Sequence, residues 1–175
     1  MNRRRLILGT GAVAAAGAGI TTALVLRRQD TTTASAGDSA EFRNEFDRPD
    51  GGKLALANFL GKPLLLNFWA TWCAPCVREM PLLDRFAADH KAAGWQVVGL
   101  AIDQLEPVRE FLAKRPVSYS IAIAGTGALD WIRALGNAGG GLPFSVAYDS
   151  AGALRQRKLG ELSAETLTSW ATTVQ

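Results

Sequence analysis

Two nearly unbroken apolar runs constrain what this chain can fold into: Leu64-Leu65-Leu66-Asn67-Phe68-Trp69 and Val97-Val98-Gly99-Leu100-Ala101-Ile102. Neither alternates apolar with polar residues, so neither reads as a strand with one wet face. Each reads as a strand buried on both sides, the second running from Trp95 to Ile102. Between them lies a helical pattern from about Cys73 to His90, with Met80, Leu83, Phe86 and Ala87 on one stripe and Ala93-Gly94 closing it. Leu54 to Leu56 reads as a short strand, and Tyr119 to Ala124 as a third apolar one. Pro107 opens a helix to about Lys114, and Ala128 to Leu135 forms another. Leu142 to Tyr148 and Leu154 to Leu159 read as a hairpin across residues 149–152, and Ser163 caps a last helix. Strand–helix alternation that ends in a hairpin and a helix predicts a three-layer α/β/α sandwich around a mixed sheet.

The 175 residues suffice for one such domain with a sizeable core. The formal charge of +3 is not a nucleic-acid signal. Arg3, Arg4, Arg5, Arg27 and Arg28 lie in the first 37 residues against one acid, Asp30; the remaining 14 basic and 15 acidic side chains leave the rest at −1. A domain without basic excess cannot neutralise phosphates, so nucleic-acid partners are set aside. Leu6 to Leu26 is a stretch of 21 uncharged residues, about 30 Å long as a helix and so long enough for a bilayer core. Three arginines precede it, as in an export signal or a membrane anchor. Arg3-Arg4-Arg5-Leu6-Ile7 also resembles a twin-arginine signal. Residues 1–28 are therefore expected to be a signal or membrane anchor, 29–40 a flexible linker and 41–175 the folded domain. The length of the run favours residues 6–26 as a retained anchor, while Ala34-Ser35-Ala36 offers cleavage after Ala36. Either fate places the domain on the periplasmic side of a cell envelope. Gly9-x-Gly11-x-x-Ala14 mimics a dinucleotide fingerprint but follows arginines, not a strand.

The chemistry is concentrated at Trp72-Cys73-Ala74-Pro75-Cys76, where the first buried strand gives way to the long helix. Cysteines at i and i+3 of a first helical turn face each other at a Cα separation that suits a disulfide. Cys73 stands at the helix N-terminus, where unpaired N–H groups and the dipole favour a thiolate. Cys76 is shielded one turn further in, and Pro75 preorganises that turn. The pair reads as an exchange device in which Cys73 forms a mixed disulfide and Cys76 resolves it. A purely structural bridge would close too short a loop to stabilise much. With no other cysteine, and His90 the single histidine, a structural zinc site lacks ligands; a c-type haem would need His where Val77 stands. No metal and no cofactor beyond the cysteine pair is expected.

Asn67-Phe68-Trp69-Ala70-Thr71-Trp72-Cys73-Ala74-Pro75-Cys76-Val77-Arg78-Glu79-Met80-Pro81 resembles the active-site segment of the TlpA/ResA-like thiol:disulfide oxidoreductases, within the thioredoxin superfamily. The likeness runs from about Phe46 to Trp170. It implies a thioredoxin-like fold with an added strand and helix, matched to the segment from Gln96 to Lys114. It implies that Leu142-Pro143 is the family's cis-proline site, beside the disulfide and with backbone groups free to pair with a substrate strand. Gly160-Glu161-Leu162, before the last helix, fits as well. Trp72, Ala74, Pro75, Leu142 and Pro143 would then form the substrate-binding surface. Where a thioredoxin carries a buried acid under the disulfide, this sequence has Asn67, which cannot take a proton from Cys76. The resemblance offers Glu79, three residues after Cys76 on the same helical face, as a partly buried group that manages that proton. The competing reading is an acid stabilised by the helix dipole. The resemblance further implies a reductase of protein disulfides, supplied by a membrane or envelope electron donor and serving cytochrome c maturation.

Other residues receive simpler readings. Trp69 is expected in the core, Trp72 exposed beside Cys73, and Trp95, Trp131 and Trp170 in packing. His90 reads as a cation at a helix C-terminus, Asp103 as the entry to the next helix and Pro81 as a bend in the long helix. Gly139-Gly140-Gly141 reads as a flexible loop that lets a partner strand approach Pro143. Two other function classes compete. A peroxiredoxin-type peroxidase wants Thr three residues before its cysteine, whereas Thr71 is two before Cys73. A non-enzymatic metallochaperone or scaffold would keep its binding function in a C73S/C76S double variant.

Overall fold

The structure is a computed structural model that describes residues 40–174. The expected signal or anchor at 1–28, residues 29–39 of the linker and the cleavage site after Ala36 lie outside the described residues. Among the described residues no helix is long and apolar enough to cross a membrane.

Among the described residues seven strands build one sheet: β1 (Glu45–Asp47), β2 (Lys53–Ala55), β3 (Leu64–Trp69), β4 (Gln96–Ala101), β5 (Ser120–Ile123), β6 (Phe144–Tyr148) and β7 (Leu154–Leu159). Their order is β2-β1-β5-β4-β3-β6-β7. β3, β4 and β5 run parallel, and the hairpins β1–β2 and β6–β7 join this centre antiparallel on either side. Among the described residues four α-helices cover the sheet: α1 (Ala74–Asp89), α2 (Leu105–Lys114), α3 (Leu129–Ala134) and α4 (Ala164–Thr173).

The pleat of β3 sorts its side chains into two cores. Leu65 and Trp69 join one face, which α1, α2 and α4 cover with Met80, Leu83, Phe86, Val108, Leu167 and Trp170. Leu64, Leu66 and Phe68 join the other, closed by Ile132 of α3 and by Phe42 and Leu56 ahead of β3. All six residues of β3 are buried, as expected for a strand covered on both sides. Asn67 falls on the α1 face with Leu65 and Trp69, so the strand's one polar side chain points beneath the CxxC helix.

The segment from Gln96 to Lys114 forms β4 and α2, with β4 inside the sheet between β3 and β5. α2 starts at Leu105, two residues before the expected Pro107, which occupies a first-turn position that needs no N–H. β6 begins at Phe144 rather than Leu142, because Leu142-Pro143 lies beyond the ladder and proline has no N–H to contribute to it. β1 carries no periodic signal: its three residues, Glu-Phe-Asp, bury only part of Phe46. Ser163 caps α4 as expected, its hydroxyl accepting the Thr166 N–H at 3.2 Å.

Gly99 sits directly between Asn67 and Ile121 in the parallel register. A Cβ there would lie 2.6 Å from Ile121 Cδ1 and 3.2 Å from both Trp69 Nε1 and Tyr119 Cε2. The missing side chain is what lets those two rings lie against the sheet. Gly99→Ala is therefore expected to cost about 1–3 kcal/mol through overpacking. The check is a lowered urea midpoint with an unchanged slope.

Candidate functional site

β3 and β4 pair with a constant offset, Trp69 opposite Ala101, and the same offset sets Thr71 opposite Asp103 just past the ladder. One Asp103 oxygen accepts the Thr71 N–H at 3.0 Å and the Thr71 hydroxyl at 2.6 Å; the other accepts the Gln104 N–H at 2.8 Å. Asp103 is thus not the entry to α2, whose N-cap is Gln104 without a side-chain cap. It anchors the loop that carries Trp72 and Cys73. Sequence reading missed this because the offset between two parallel strands is a tertiary quantity.

The chain then turns into α1. The Cys73 N–H donates to the Ala70 carbonyl at 3.2 Å, and Cys73 takes the N-cap position with extended backbone angles. Its Sγ accepts the Cys76 N–H at 3.3 Å, so this sulfur already receives one of the unpaired donors of the helix start. Pro75 fills a first-turn position where its lack of an N–H costs nothing. Cys73 and Cys76 are joined as a disulfide with Cα atoms 5.3 Å apart. Cys76 is fully buried and Cys73 retains 6% exposure, so only the outer sulfur can meet a partner. Trp72 beside it is 70% exposed.

Glu79 lies one turn beyond Cys76 on the buried face of α1. It is wholly buried, not partly as expected, at 1% exposure. One carboxylate oxygen accepts Asn67 Nδ2 at 2.8 Å, and the other accepts the Leu162 N–H at 2.7 Å. Asn67 gives its second amide hydrogen to Ser145 Oγ at 2.9 Å. Burial pushes the Glu79 carboxyl up to about 7; the hydrogen bonds from Leu162 and Asn67 pull it down, and the charge of Glu161 pushes it up. The Gly160-Glu161-Leu162 segment thereby acquires a reason to precede α4: Leu162 supplies a backbone donor to this acid.

The Leu142-Pro143 bond is cis. The antiparallel register, Phe68 opposite Phe144, places Pro143 across from Trp69 and Leu142 across from Ala70 when carried two steps on. The Pro143 carbonyl accepts the Gly160 N–H at 2.8 Å. Among the described residues the N–H and carbonyl of Leu142 have no backbone partner. Of the expected substrate surface, Trp72 and Ala74 are exposed, Pro75 and Leu142 half-buried and Pro143 buried.

The glycine loop differs from expectation. Buried Asn137 donates to the Gly141 carbonyl at 2.7 Å and accepts its N–H at 3.3 Å, while the Gly140 N–H meets the Asn137 carbonyl at 2.9 Å. An asparagine clamp holds the approach to Leu142, with Gly140 at φ +63°. His90 caps the far end of α1 and stacks on Phe86 at 4.3 Å between ring centroids. Trp69, Trp95 and Trp170 are buried, and Trp131 stacks on Phe46 and meets Phe68 edge-on. Pro81 lies inside α1. Among the described residues no cluster of three or more His, Cys, Asp or Glu side chains could hold a metal ion.

Comparison with known proteins agrees with this geometry. Residues 35–173 match the Redoxin family. The chain is 32% identical over 120 residues to a thiol-disulfide oxidoreductase ResA of Bacillus cereus, covering 67% of this chain and 66% of that protein, slightly under two thirds of its length. Among solved structures, MTB dsbF aligns with a TM-score of 0.67 at 28% identity, covering 78% of this chain and 98% of that one. A thioredoxin-related protein from Neisseria meningitidis serogroup B aligns with a TM-score of 0.65 at 30% identity, covering 74% and 96%.

The raised Glu79 value has a thermodynamic consequence. Its ordinary value is 4.5, so between about pH 4.5 and 7 the folded chain holds a proton that the unfolded chain releases. The stability from this group is complete below the ordinary value and is lost as pH rises through the folded one. The urea midpoint of the oxidised chain is expected to fall from pH 5 to pH 7. Glu79→Gln, which does not titrate, is expected to flatten that fall; an unchanged slope in the variant would contradict the assignment.

Proposed function

The chain belongs to the redoxin family as a TlpA/ResA-like member of the thioredoxin superfamily with a thioredoxin-like fold, and on that premise we propose that it is a thiol:disulfide oxidoreductase exchanging disulfides with protein thiols. The observation that carries the reading is the Cys73–Cys76 disulfide at the start of α1, with one sulfur reachable and the other buried.

In the reductive direction, the Cys73 thiolate attacks one sulfur of a substrate disulfide, and the other substrate sulfur leaves and takes up a proton. Cys76 then gives its proton to the Glu79 carboxylate and attacks Cys73 Sγ. The Cys73–Cys76 bond forms, the mixed disulfide breaks and the second substrate sulfur leaves. Two protein thiols become one disulfide, and one substrate disulfide becomes two thiols. A carboxyl with a value of about 7 accepts and releases a proton with equal ease near neutral pH. Asn67 holds that carboxyl but cannot replace it. An extended substrate segment pairs with the free backbone groups of Leu142 and lies against Trp72, Ala74 and Pro75, with Pro143 shaping the floor.

The reading extends to a reductase on the periplasmic side of the cell envelope, held by residues 6–26 or released by cleavage after Ala36. A membrane or envelope electron donor would return it to the dithiol form, and cytochrome c maturation is the process it would serve. The arginine-flanked apolar run and the likeness to ResA support this extension.

Two measurements test the proposal. The reduction potential of the pair is expected near or below about −250 mV; a value near −120 mV would mark a disulfide donor instead. Glu79→Gln is expected to slow exchange about 10²-fold near neutral pH and to erase the inflection near pH 7 from the rate profile. A profile that keeps its inflection would remove Glu79 from the proton path.

A further inference from the structure

A groove between α1 and α2 starts at Trp72 and Ala74 of the proposed substrate surface and runs on past it. Two adjoining hollows of about 540 and 360 Å³ share Val77, Phe111 and Arg115. The larger is lined by Trp72 at the end nearest Cys73, and by Arg78 and Lys114. Its apolar floor is firm, because Phe111 packs on buried Trp69 at 5.4 Å between ring centroids. Arg115 places its guanidinium 5.9 Å from the Phe111 centroid.

The charged side chains that line the larger hollow are all cations. Arg78 is paired with Glu161 at 2.9 Å. Asp103 is engaged by Thr71, and Asp84, at the far end, by the N–H and hydroxyl of Ser118. Asp103 and Asp84 keep their charge, because their donors are neutral, but no acid lines the larger hollow, where Arg78, Lys114 and Arg115 stand. Lys114 and Arg115 are exposed and form no ion pair among the described residues. Cations at a helix C-terminus also answer its dipole, but the dipole does not call for an exposed indole on the opposite wall.

We propose that this groove docks an acidic, apolar-anchored segment beside the target cysteine of a protein substrate. An apolar side chain would rest on Val77 and Phe111, with carboxylates meeting Lys114 and Arg115. The occupant is identified by charge complementarity and by the adjacency of the groove to Cys73. The proposal rests on the oxidoreductase reading and adds a selectivity to it.

The test uses the oxidised full-length chain and three peptides with one cysteine each, flanked by acidic and leucine residues, by glutamine and leucine, or by lysine and leucine. The peptide thiolate attacks Cys73 Sγ, the Cys73–Cys76 bond breaks and Cys76 leaves as a thiol after taking a proton. The freed protein thiol is alkylated and counted by mass. Each rate is divided by that peptide's rate with bis(2-hydroxyethyl) disulfide, which removes the effect of the flanks on thiol reactivity. The normalised rate is expected to be about tenfold higher for the acidic than for the glutamine peptide at low salt, lowest for the lysine peptide, and to converge at high salt. K114E/R115E is expected to abolish or invert the order. Equal normalised rates in the native chain, or an order untouched by K114E/R115E, would overturn the groove while leaving the exchange chemistry standing. Failure of every peptide to open the disulfide would instead overturn the oxidoreductase reading, and the groove with it.

Discussion

A carboxyl group almost wholly buried ties the parts of this protein together at the level of the disulfide. Glu79 comes from the CxxC helix, and its two hydrogen bonds reach the central strand through Asn67 and the lead-in to the last helix through Leu162. Asn67 carries the link on to β6 through Ser145. A buried carboxyl that lost either donor would be left less compensated in a dry site. The acid therefore constrains the positions of α1, β3, β6 and the segment before α4. The same burial that makes these bonds structural raises the carboxyl to the range where it exchanges a proton near neutral pH. Fold and chemistry share one cause.

The neighbourhood of that acid is not fully satisfied. Asn67 Oδ1, Trp69 Nε1 and Tyr119 OH are buried without a hydrogen-bond partner in the structure. Burial, with the charges of Glu79 and Asp84 adding to it, holds the Tyr119 phenol in its protonated form. Unpaired buried polar atoms are costly and uncommon in native interiors. Here two of the three residues, Trp69 and Tyr119, flank Gly99, and the third, Asn67, binds Glu79. Two further unpaired atoms, Trp131 Nε1 and Tyr148 OH, lie in the opposite core with Leu64, Leu66, Phe68 and Ile132, so both faces of the sheet carry this cost.

Around the disulfide, three separate devices fix the surface that a partner would meet. Asp103 pins Thr71, so the loop ahead of Cys73 is held from below by the end of the neighbouring strand. Asn137 clamps the glycine loop ahead of Leu142. Gly160 takes up the Pro143 carbonyl, leaving the Leu142 backbone as the free edge. Rigid framing of a reactive sulfur limits the entropy lost when a partner docks.

Much of this architecture was legible in the residues themselves. The unbroken apolar runs at 64–69 and 97–102 dictated strands buried on both faces, because no side chain in them other than Asn67 tolerates water cheaply. The CxxC spacing at a strand-to-helix junction determined the disulfide and which sulfur lies outside, since helical periodicity alone sets i and i+3 on one side. Glu79 was visible as a candidate from the same periodicity. Its complete burial, its bonds to Asn67 and Leu162 and its raised proton affinity were not, because they depend on which strand and which loop pack beneath α1. The Asp103 anchor was hidden for the same reason, and β1 had too few residues to show a period; the Asn137 clamp spans only four residues and was missed although it is local. Local patterns act over one or two turns and are written in the sequence. Strand register, and with it the contacts of Thr71 with Asp103, Asn67 with Ser145 and Glu79 with Leu162, was settled only when the two cores closed.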